Sequence, residues 1–445
     1  MKLRNNRWPL IALTLLSIFA FFRSINEFPL RNWDEAWYGE ISENMAINNT
    51  GLLMPFWNGR YYFDKPPMYF WLTYPILKIF GPGEWQARFV SVSAATLIPT
   101  LIYLIGKKLF NYKTGLVAAI IFLTLGQVVE RFSHGNLDAL LTLFSILSFY
   151  FYINRSPVVS GVFLAGAILT KGLVFGFFPL AWIMLFEFLL GKKEVKKIIK
   201  LISVLLIASL WWFALGSLKF GEEFVKSYIT DLFAGNLSWK EPMLDTTLTK
   251  VFIRDIGFWF IPIIFHFVKN FKNKALLFLT LSVITLALPL NLLADKLGWF
   301  LLPLYPFASL IAGFSTSSLN KKYILILSLL IILQLNSIKN LDKENPDKSY
   351  ISAELGKFIK MNYSPQTKIV LDSPDFSSFL YYSGLNEVTV ASQSGGKIYE
   401  WWIKSYDDIS RFKGYLIITE NPQKFDTVIQ TITTAPYDYK LLELL

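Results

Sequence analysis

Apolar runs of roughly 17–20 residues follow one another from Trp8 to beyond Lys322, separated by short basic loops, and no other feature restricts the fold as tightly. One such run would fit a buried core helix as well as a membrane span; a long series fits only a polytopic membrane protein. Backbone groups facing lipid must be paired within the structure, which leaves helices or a closed barrel. Barrel strands need only about 9–11 residues and alternate in character, so these runs are helical. A hydrophobic content of 53% is also too high for a soluble chain of 445 residues.

Spans are expected at about 8–27, 85–105, 114–131, 136–153, 157–171, 173–190, 198–217, 250–268, 275–293, 298–316 and 323–339, about eleven in all. Lys2, Arg4 and Arg7 put the N-terminus in the cytoplasm by the positive-inside rule. Alternation then brings Lys107, Lys108, Lys113, Arg155, the lysines of 191–197 and 269–274, and Lys321-Lys322 to the same side. The net charge of +11 is therefore a topology signal rather than a nucleic-acid footprint. No small-residue cleavage site closes the first apolar stretch, so it is expected to stay as an uncleaved anchor. The stretch 157–190 reads as two short helices around Thr170-Lys171-Gly172. One helix would run about 51 Å at about 1.5 Å per residue, against a hydrocarbon core of about 30 Å.

This topology leaves an outer loop at 28–84, another near 218–249, and an outer segment from about 342. In the first loop, 35–48 reads as an interfacial amphipathic helix, and 66–80, with Pro66, Pro67 and Pro75, as a second helix lying in the interface. From 342 to 445 the composition becomes that of a small extracytoplasmic α/β domain. Helices are expected at 349–362 and 423–433, and strands at 368–371, 388–391, 415–419 and 439–442. The fold class is thus mainly α: a polytopic helical membrane domain, 1–341, with an α/β soluble domain, 342–445.

Zero cysteines exclude disulfides, thiolate metal sites and cysteine nucleophiles, and two histidines exclude a multi-histidine metal site. The polar residues that stand out lie on the side that the basic loops avoid. Trp33-Asp34-Glu35-Ala36-Trp37-Tyr38-Gly39-Glu40 pairs two carboxylates just past the first apolar run, and Tyr61-Tyr62-Phe63-Asp64-Lys65-Pro66-Pro67 follows. A charged helix flank with interfacial aromatics would explain the first stretch without chemistry. Lys65, Lys171 and Lys296 are harder to explain that way, because a lysine in a membrane centre costs about 2.5–3.5 kcal/mol on insertion scales. They read either as snorkelling or locally paired side chains, Asp64 and Asp295 being adjacent partners, or as a cationic pocket for the phosphate of a lipid-linked substrate. Asp138, expected one turn inside the fourth span, points into a polar cavity rather than lipid, with Arg131 as partner or phosphate ligand. His134 reads as a satisfied interfacial side chain, His266 has no assigned role, and Arg254-Asp255 reads as an ion pair.

Together these residues resemble the polyprenyl-phosphate-sugar-dependent glycosyltransferases of the GT-C superfamily, over about residues 8–316. They are most similar to the relatives of protein O-mannosyltransferases and of the aminoarabinose transferase that modifies lipid A. The matching elements are Asp34-Glu35 with Tyr38 and Glu40, Asp64-Lys65-Pro66-Pro67, Asn136-Leu137-Asp138-Ala139-Leu140, Leu169-Thr170-Lys171-Gly172 and Leu302-Pro303-Leu304-Tyr305-Pro306. The resemblance implies an integral protein of the plasma (inner) membrane and a sugar donor on polyprenyl phosphate at its outer face. The acceptor would be a protein, lipid or glycan, and nucleic acid has no part. It implies Asp34 as general base, with Glu35 beside it in the catalytic pair. Lys65, Arg131, Lys171 and Lys296 would bind donor phosphate, and Tyr38, Tyr62, Asp64, Asp138 and Tyr305 would line the substrate cavity. No cofactor is expected, and a divalent metal stays open. Trp37 stands where relatives of the lipid A enzyme place an arginine, and Asp64 where they have a glutamate, so the resemblance leaves the sugar and the acceptor open.

Two readings from other classes compete. A secondary transporter or lipid flippase also needs charges within a bundle, but predicts inverted repeats with polar residues at the midplane, and no such symmetry is visible. A non-catalytic scaffold or sensor would move the activity to the C-terminal segment.

Overall fold

The computed structural model describes residues 8–48, 50–191, 194–230, 246–264, 272–291, 296–317, 347–393, 401–409, 412, 414–421, 428–434 and 439–444. The chain divides into two compact units, Met1–Ile25, Asp64–Tyr69 and Arg88–Glu344 forming one and Asn26–Phe63, Phe70–Ala87 and Asn345–Leu445 the other. A boundary drawn at 341 cuts the chain differently: the first loop, apart from Asp64–Tyr69, groups with the C-terminal segment.

The first unit is helical. Its main helices are Trp8–Phe22, most of Glu84–Leu109, Tyr112–Phe122, Gly126–Phe132, Leu137–Ile153, Pro157–Lys171, Leu173–Leu189, Val195–Phe220, Lys274–Leu290 and Tyr305–Ser317. Asparagine side chains start several of them. Asn111 Oδ1 accepts from the backbone of Lys113 and Thr114 at 3.0 and 3.1 Å, and Asn273 does the same for Ala275 and Leu276. Small residues bring backbones together, as expected where lipid gives no hydrophobic drive for helix association. A Cβ on Gly115 would lie 2.3 Å from the Tyr103 carbonyl oxygen, and one on Gly313 would lie 2.7 Å from the Ala118 nitrogen.

Among the described residues, three helices are long and apolar enough to cross a bilayer, or four if one bent pair counts as a single span. That pair corrects the third expected span: Tyr112–Phe122 and Gly126–Phe132 meet at 67° instead of running straight through 114–131. Thr124 Oγ1 donates to the Ile121 carbonyl at 2.7 Å, satisfying the backbone where the helix breaks. Residues 157–190 do form two helices. Gly172, at φ +98°, ends the first, and a Cβ on Gly176 would come within 2.6 Å of the Ile168 Cα, a contact that requires the chain to double back. The expected span 323–339 and the end of 250–268 lie outside the described residues.

In the second unit, a six-stranded sheet runs in the order Ile403–Ser405, Val388–Ser392, Ile369–Leu371, Leu416–Thr419, Lys440–Leu444, Val428–Thr434. The first four strands are parallel, and the last two join antiparallel. Val370, Ala391, Ile417 and Leu442 pack with Ile409 to form its core. Of the helix expected at 423–433, residues 423–427 lie outside the described residues, and from 428 the chain is the strand Val428–Thr434 instead. The run Val-Ile-Gln-Thr-Ile-Thr-Thr is almost wholly β-branched, which disfavours helix and suits a pleated sheet.

The helix Asp34–Ala46 also departs from expectation. It is buried on most faces, with Glu35, Ala36, Tyr38, Ile41 and Met45 all enclosed, and does not show the single apolar face of an interfacial helix. Gly39 permits this close packing, since a Cβ there would meet the Leu30 side chain at 2.8 Å. A two-residue turn, Asn58-Gly59, joins strands Phe56–Trp57 and Arg60–Tyr61, with both turn residues at positive φ. The last helix of the loop is Met68–Phe80.

Candidate active site

In the second unit, Asp34 and Glu35 open the helix Asp34–Ala46, where the aligned peptide dipoles favour negative charge. Their surroundings set them apart. Glu35 is 4% exposed, and its Oε2 accepts the Arg31 backbone N–H at 2.8 Å, as a reach-back cap does. Asp34 is half-buried, and its Oδ1 accepts the Tyr38 hydroxyl at 3.4 Å. Of the two carboxylates, Asp34 is the more exposed. Further along the helix, burial pushes the Glu40 carboxyl well above the usual range. Burial raises Glu43 to about 7, against an opposing pull from Lys360.

An aromatic cluster that the sequence reading did not foresee surrounds the next turn of that helix. Trp37 stacks on Trp57 with ring centres 4.0 Å apart, and Trp402 stands edge-on to both at 5.3 and 4.9 Å. Tyr62 completes it, 5.7 Å from Trp37. Tyr38 packs on Phe70 at 5.9 Å. Tyr38 and Tyr62 are both buried, at 6% and 4% exposure.

In the first unit, Asp138 lies in the opening turn of Leu137–Ile153 rather than one turn inside it. Asn136 caps that turn through a 2.9 Å bond from the Asp138 N–H, and its own amide donates to the carbonyls of Arg131 and His134. The Asp138 carboxylate, 2% exposed, takes the Lys171 ammonium on Oδ1 and the Arg131 guanidinium on Oδ2 at 3.3 Å. Lys171 reaches it from the last residue of Pro157–Lys171, and Arg131 from the end of Gly126–Phe132. The cations are covered by aromatic faces. Arg131 lies 4.2 Å from the Trp299 ring centre, and Lys171 lies 4.9 and 5.2 Å from those of Phe175 and Phe300. Two cations against one carboxylate leave the cluster with net positive charge, in surroundings of low dielectric where it acts strongly on an anion. His134 Nδ1 is engaged with the Glu130 carbonyl at 2.6 Å.

Tyr305 stands apart from that cluster in the contacts it makes. It is fully buried, and its hydroxyl donates to Asp255 Oδ2 at 2.5 Å and lies 3.3 Å from Gln127 Oε1. Asp255 also takes the Arg254 guanidinium at 3.1 Å, so Arg254-Asp255 is an ion pair extended by a tyrosine. Asp64 and Lys65 are half-buried on the segment that precedes Met68–Phe80, and Lys296 is half-buried three residues before Trp299. Among the described residues, no three His, Asp or Glu side chains converge to hold a metal ion.

The family model for dolichyl-phosphate-mannose-protein mannosyltransferase matches residues 64–215, the stretch that holds Lys65, Arg131, Asp138 and Lys171. An undecaprenyl phosphate-alpha-4-amino-4-deoxy-L-arabinose arabinosyl transferase of Aeromonas hydrophila is 25% identical over 217 residues, 45% of this chain and 39% of that protein. The chain is related to the GT-C superfamily of glycosyltransferases. The alignment spans about two fifths of that arabinosyl transferase. The structure of ArnT from Cupriavidus metallidurans bound to undecaprenyl phosphate superposes with a TM-score of 0.76 at 14% identity, covering 98% of both chains. The Archaeoglobus fulgidus oligosaccharyltransferase in its apo form follows at TM-score 0.60 and 14% identity, covering 87% of this chain and 65% of its own. At these identities the two structural likenesses are of fold.

Proposed function

We propose that the chain is a glycosyltransferase that moves a sugar from a polyprenyl-phosphate-linked donor to an acceptor hydroxyl at the outer membrane face, inverting the anomeric carbon. The observation that carries this reading is the Arg131–Asp138–Lys171 cluster, a net positive site roofed by aromatic rings in an apolar helical unit. A sugar phosphate on a lipid chain is the kind of ligand that such surroundings suit. The relatives named for undecaprenyl-phosphate and dolichyl-phosphate sugars support the donor class.

In this reading Asp34 takes the proton of the acceptor hydroxyl as its oxygen attacks the anomeric carbon from the face opposite the phosphate. The bond between anomeric carbon and phosphate oxygen breaks, and its electron pair leaves on polyprenyl phosphate. Lys65, Arg131, Lys171 and Lys296 stabilise that charge, a contribution often worth several kcal/mol. Glu35, tied to the Arg31 N–H, holds the loop rather than exchanging protons. Some eleven spans, a cytoplasmic N-terminus and an outer location for 28–84 and 342–445 belong to the same proposal.

The test uses radiolabelled polyprenyl-phosphate sugars, host membrane extract as acceptor, and purified wild type beside Asp34→Asn. Transfer by the wild type, lost in a folded variant that still binds donor, supports both reaction and base. Undiminished transfer by the variant removes Asp34 from its role. No transfer by folded wild type with any donor turns the balance toward a transporter.

A further inference from the structure

The backbone just before Asp34 is strained, and residues more than 300 positions later hold it there. Trp33 has φ +68° and ψ −129°, a conformation that side chains other than glycine disfavour. Its N–H donates to Ser377 Oγ at 2.5 Å, and the same hydroxyl lies 3.5 Å from its carbonyl oxygen. Asn32 is fixed from three directions. Its Oδ1 accepts the Ser378 N–H at 2.9 Å, its N–H donates to Ser349 Oγ at 3.1 Å, and its side-chain amide donates to Ser352 Oγ at 3.2 Å. Leu30 N–H donates to the Tyr382 hydroxyl at 2.9 Å. Phe376, next to Ser377, packs 5.7 Å from Trp57, the ring on which Trp37 stacks. Trp37 in turn donates its N–H to the Trp33 carbonyl at 2.9 Å, closing the first turn of the helix that carries Asp34.

We infer that Phe376-Ser377-Ser378 is a positioning element for the catalytic carboxylate: by clamping Asn32 and Trp33 it fixes the start of the Asp34–Ala46 helix and the direction of the Asp34 side chain. The inference rests on reading Asp34 as the base. It gives the C-terminal segment a part in the chemistry through the loop, beyond that of a cap. Ser377 supplies both halves of the grip on Trp33, so removing its hydroxyl frees a peptide that has no reason of its own to keep a positive φ.

The experiment compares wild type, Ser377→Ala, Ser377→Thr, Asn32→Ala and Asp34→Asn. It measures thermal midpoint, amide hydrogen exchange over residues 30–38, and kcat and KM for donor and acceptor. Ser377→Ala and Asn32→Ala should keep the thermal transition and raise exchange over 30–38 about tenfold. They should lose about 10- to 100-fold in kcat, as a misplaced base does, with each KM within about twofold. Ser377→Thr, which keeps the hydroxyl, should stay close to wild type in exchange and kcat. If the threonine does not fit, the Asn32 variant carries the same test. Unchanged exchange in both alanine variants overturns the clamp. Raised exchange with full kcat, while Asp34→Asn is inactive, overturns positioning and leaves the base assignment standing. Full activity of Asp34→Asn overturns the base assignment and this inference with it, and the exchange data separate that failure from a missing clamp.

Discussion

Lys171 delivers its ammonium to Asp138 across 33 positions of sequence, from the last helical residue before a glycine at φ +98°. The pair is buried, at 8% and 2% side-chain exposure, and Arg131 shares the carboxylate. Asp138→Asn would remove the negative charge that Lys171 and Arg131 share. Losing one partner of a buried pair costs about 3–5 kcal/mol, to be read from the unfolding midpoint in detergent. Adding Lys171→Met to Asp138→Asn should recover part of the loss, because the charge left without its partner is then gone. Equal midpoints for the single and double variants would show that the charges are solvated.

Gly172 makes the turn that aims Lys171. Its φ of +98° and ψ of 177° lie in a region open almost only to glycine, and a Cβ would also meet the Tyr228 hydroxyl oxygen at 2.8 Å. Gly172→Ala should therefore destabilise by about 1–3 kcal/mol. Tyr228→Phe should not rescue it, since that change leaves the strain and removes the acceptor of the Leu173 N–H, which is 3.1 Å away. Recovery of stability in the double variant would argue that the clash, and not the backbone, was at fault.

Packing between Tyr112–Phe122 and Tyr305–Ser317 makes a separate prediction. Gly313→Val should fail, because even a Cβ would lie 2.7 Å from the Ala118 nitrogen, which is backbone and cannot swing aside. The readout is loss of the monodisperse peak on size exclusion in detergent. Gly81→Ala, at φ +77° with nothing within 4 Å, is the control for strain without a clash.

Stability should also depend on pH through the helix that carries Asp34. Glu43 ionises near its ordinary 4.5 when unfolded and near 7 when folded, and Glu40 is raised as well. The folded state then binds more protons across that window, so stability falls as pH rises from 4.5 towards 7. The slope belongs to these residues if Glu43→Gln flattens it and Glu40→Gln with Glu43→Gln flattens it further. An unchanged slope in the double variant would assign it elsewhere.

Much of the helical unit was legible because its signals are local. Apolar length and the Lys171-Gly172 break each act within a few residues, and the expected ends of 157–171 match the helix Pro157–Lys171. Arg131 beside Asp138 was also readable, seven positions apart with a turn between them. The bend in the third span was not, because residues 114–131 read as one apolar run and the break carries neither proline nor a glycine pair.

The partners of the segment that precedes Asp34 were hidden for a different reason. Its loop is flanked in sequence by apolar runs, so proximity assigned it to the membrane domain, whereas its bonds go to Ser349, Ser377 and Tyr382, more than 300 positions away. Serine side chains in a polar segment carry no pattern that marks such a bond. One signal was overlooked: Asn58-Gly59 between aromatic residues is a strong hairpin signature. The Asn58 side chain also bonds the backbone of Val388, which ties the loop to the start of the strand Val388–Ser392.

The grip of Ser377 on Trp33 also sets an order of events during synthesis. Asn32 and Trp33 leave the ribosome early, and Ser377 follows 344 residues later. At about 5–20 residues per second that interval lasts roughly 17–70 s. Through it the loop exists without the residues that hold it, and the apolar runs are made in the meantime. On the positioning inference, the turn that precedes Asp34 gains its clamp only after Ser377 has been made, a delay set by the 344 residues between Trp33 and Ser377.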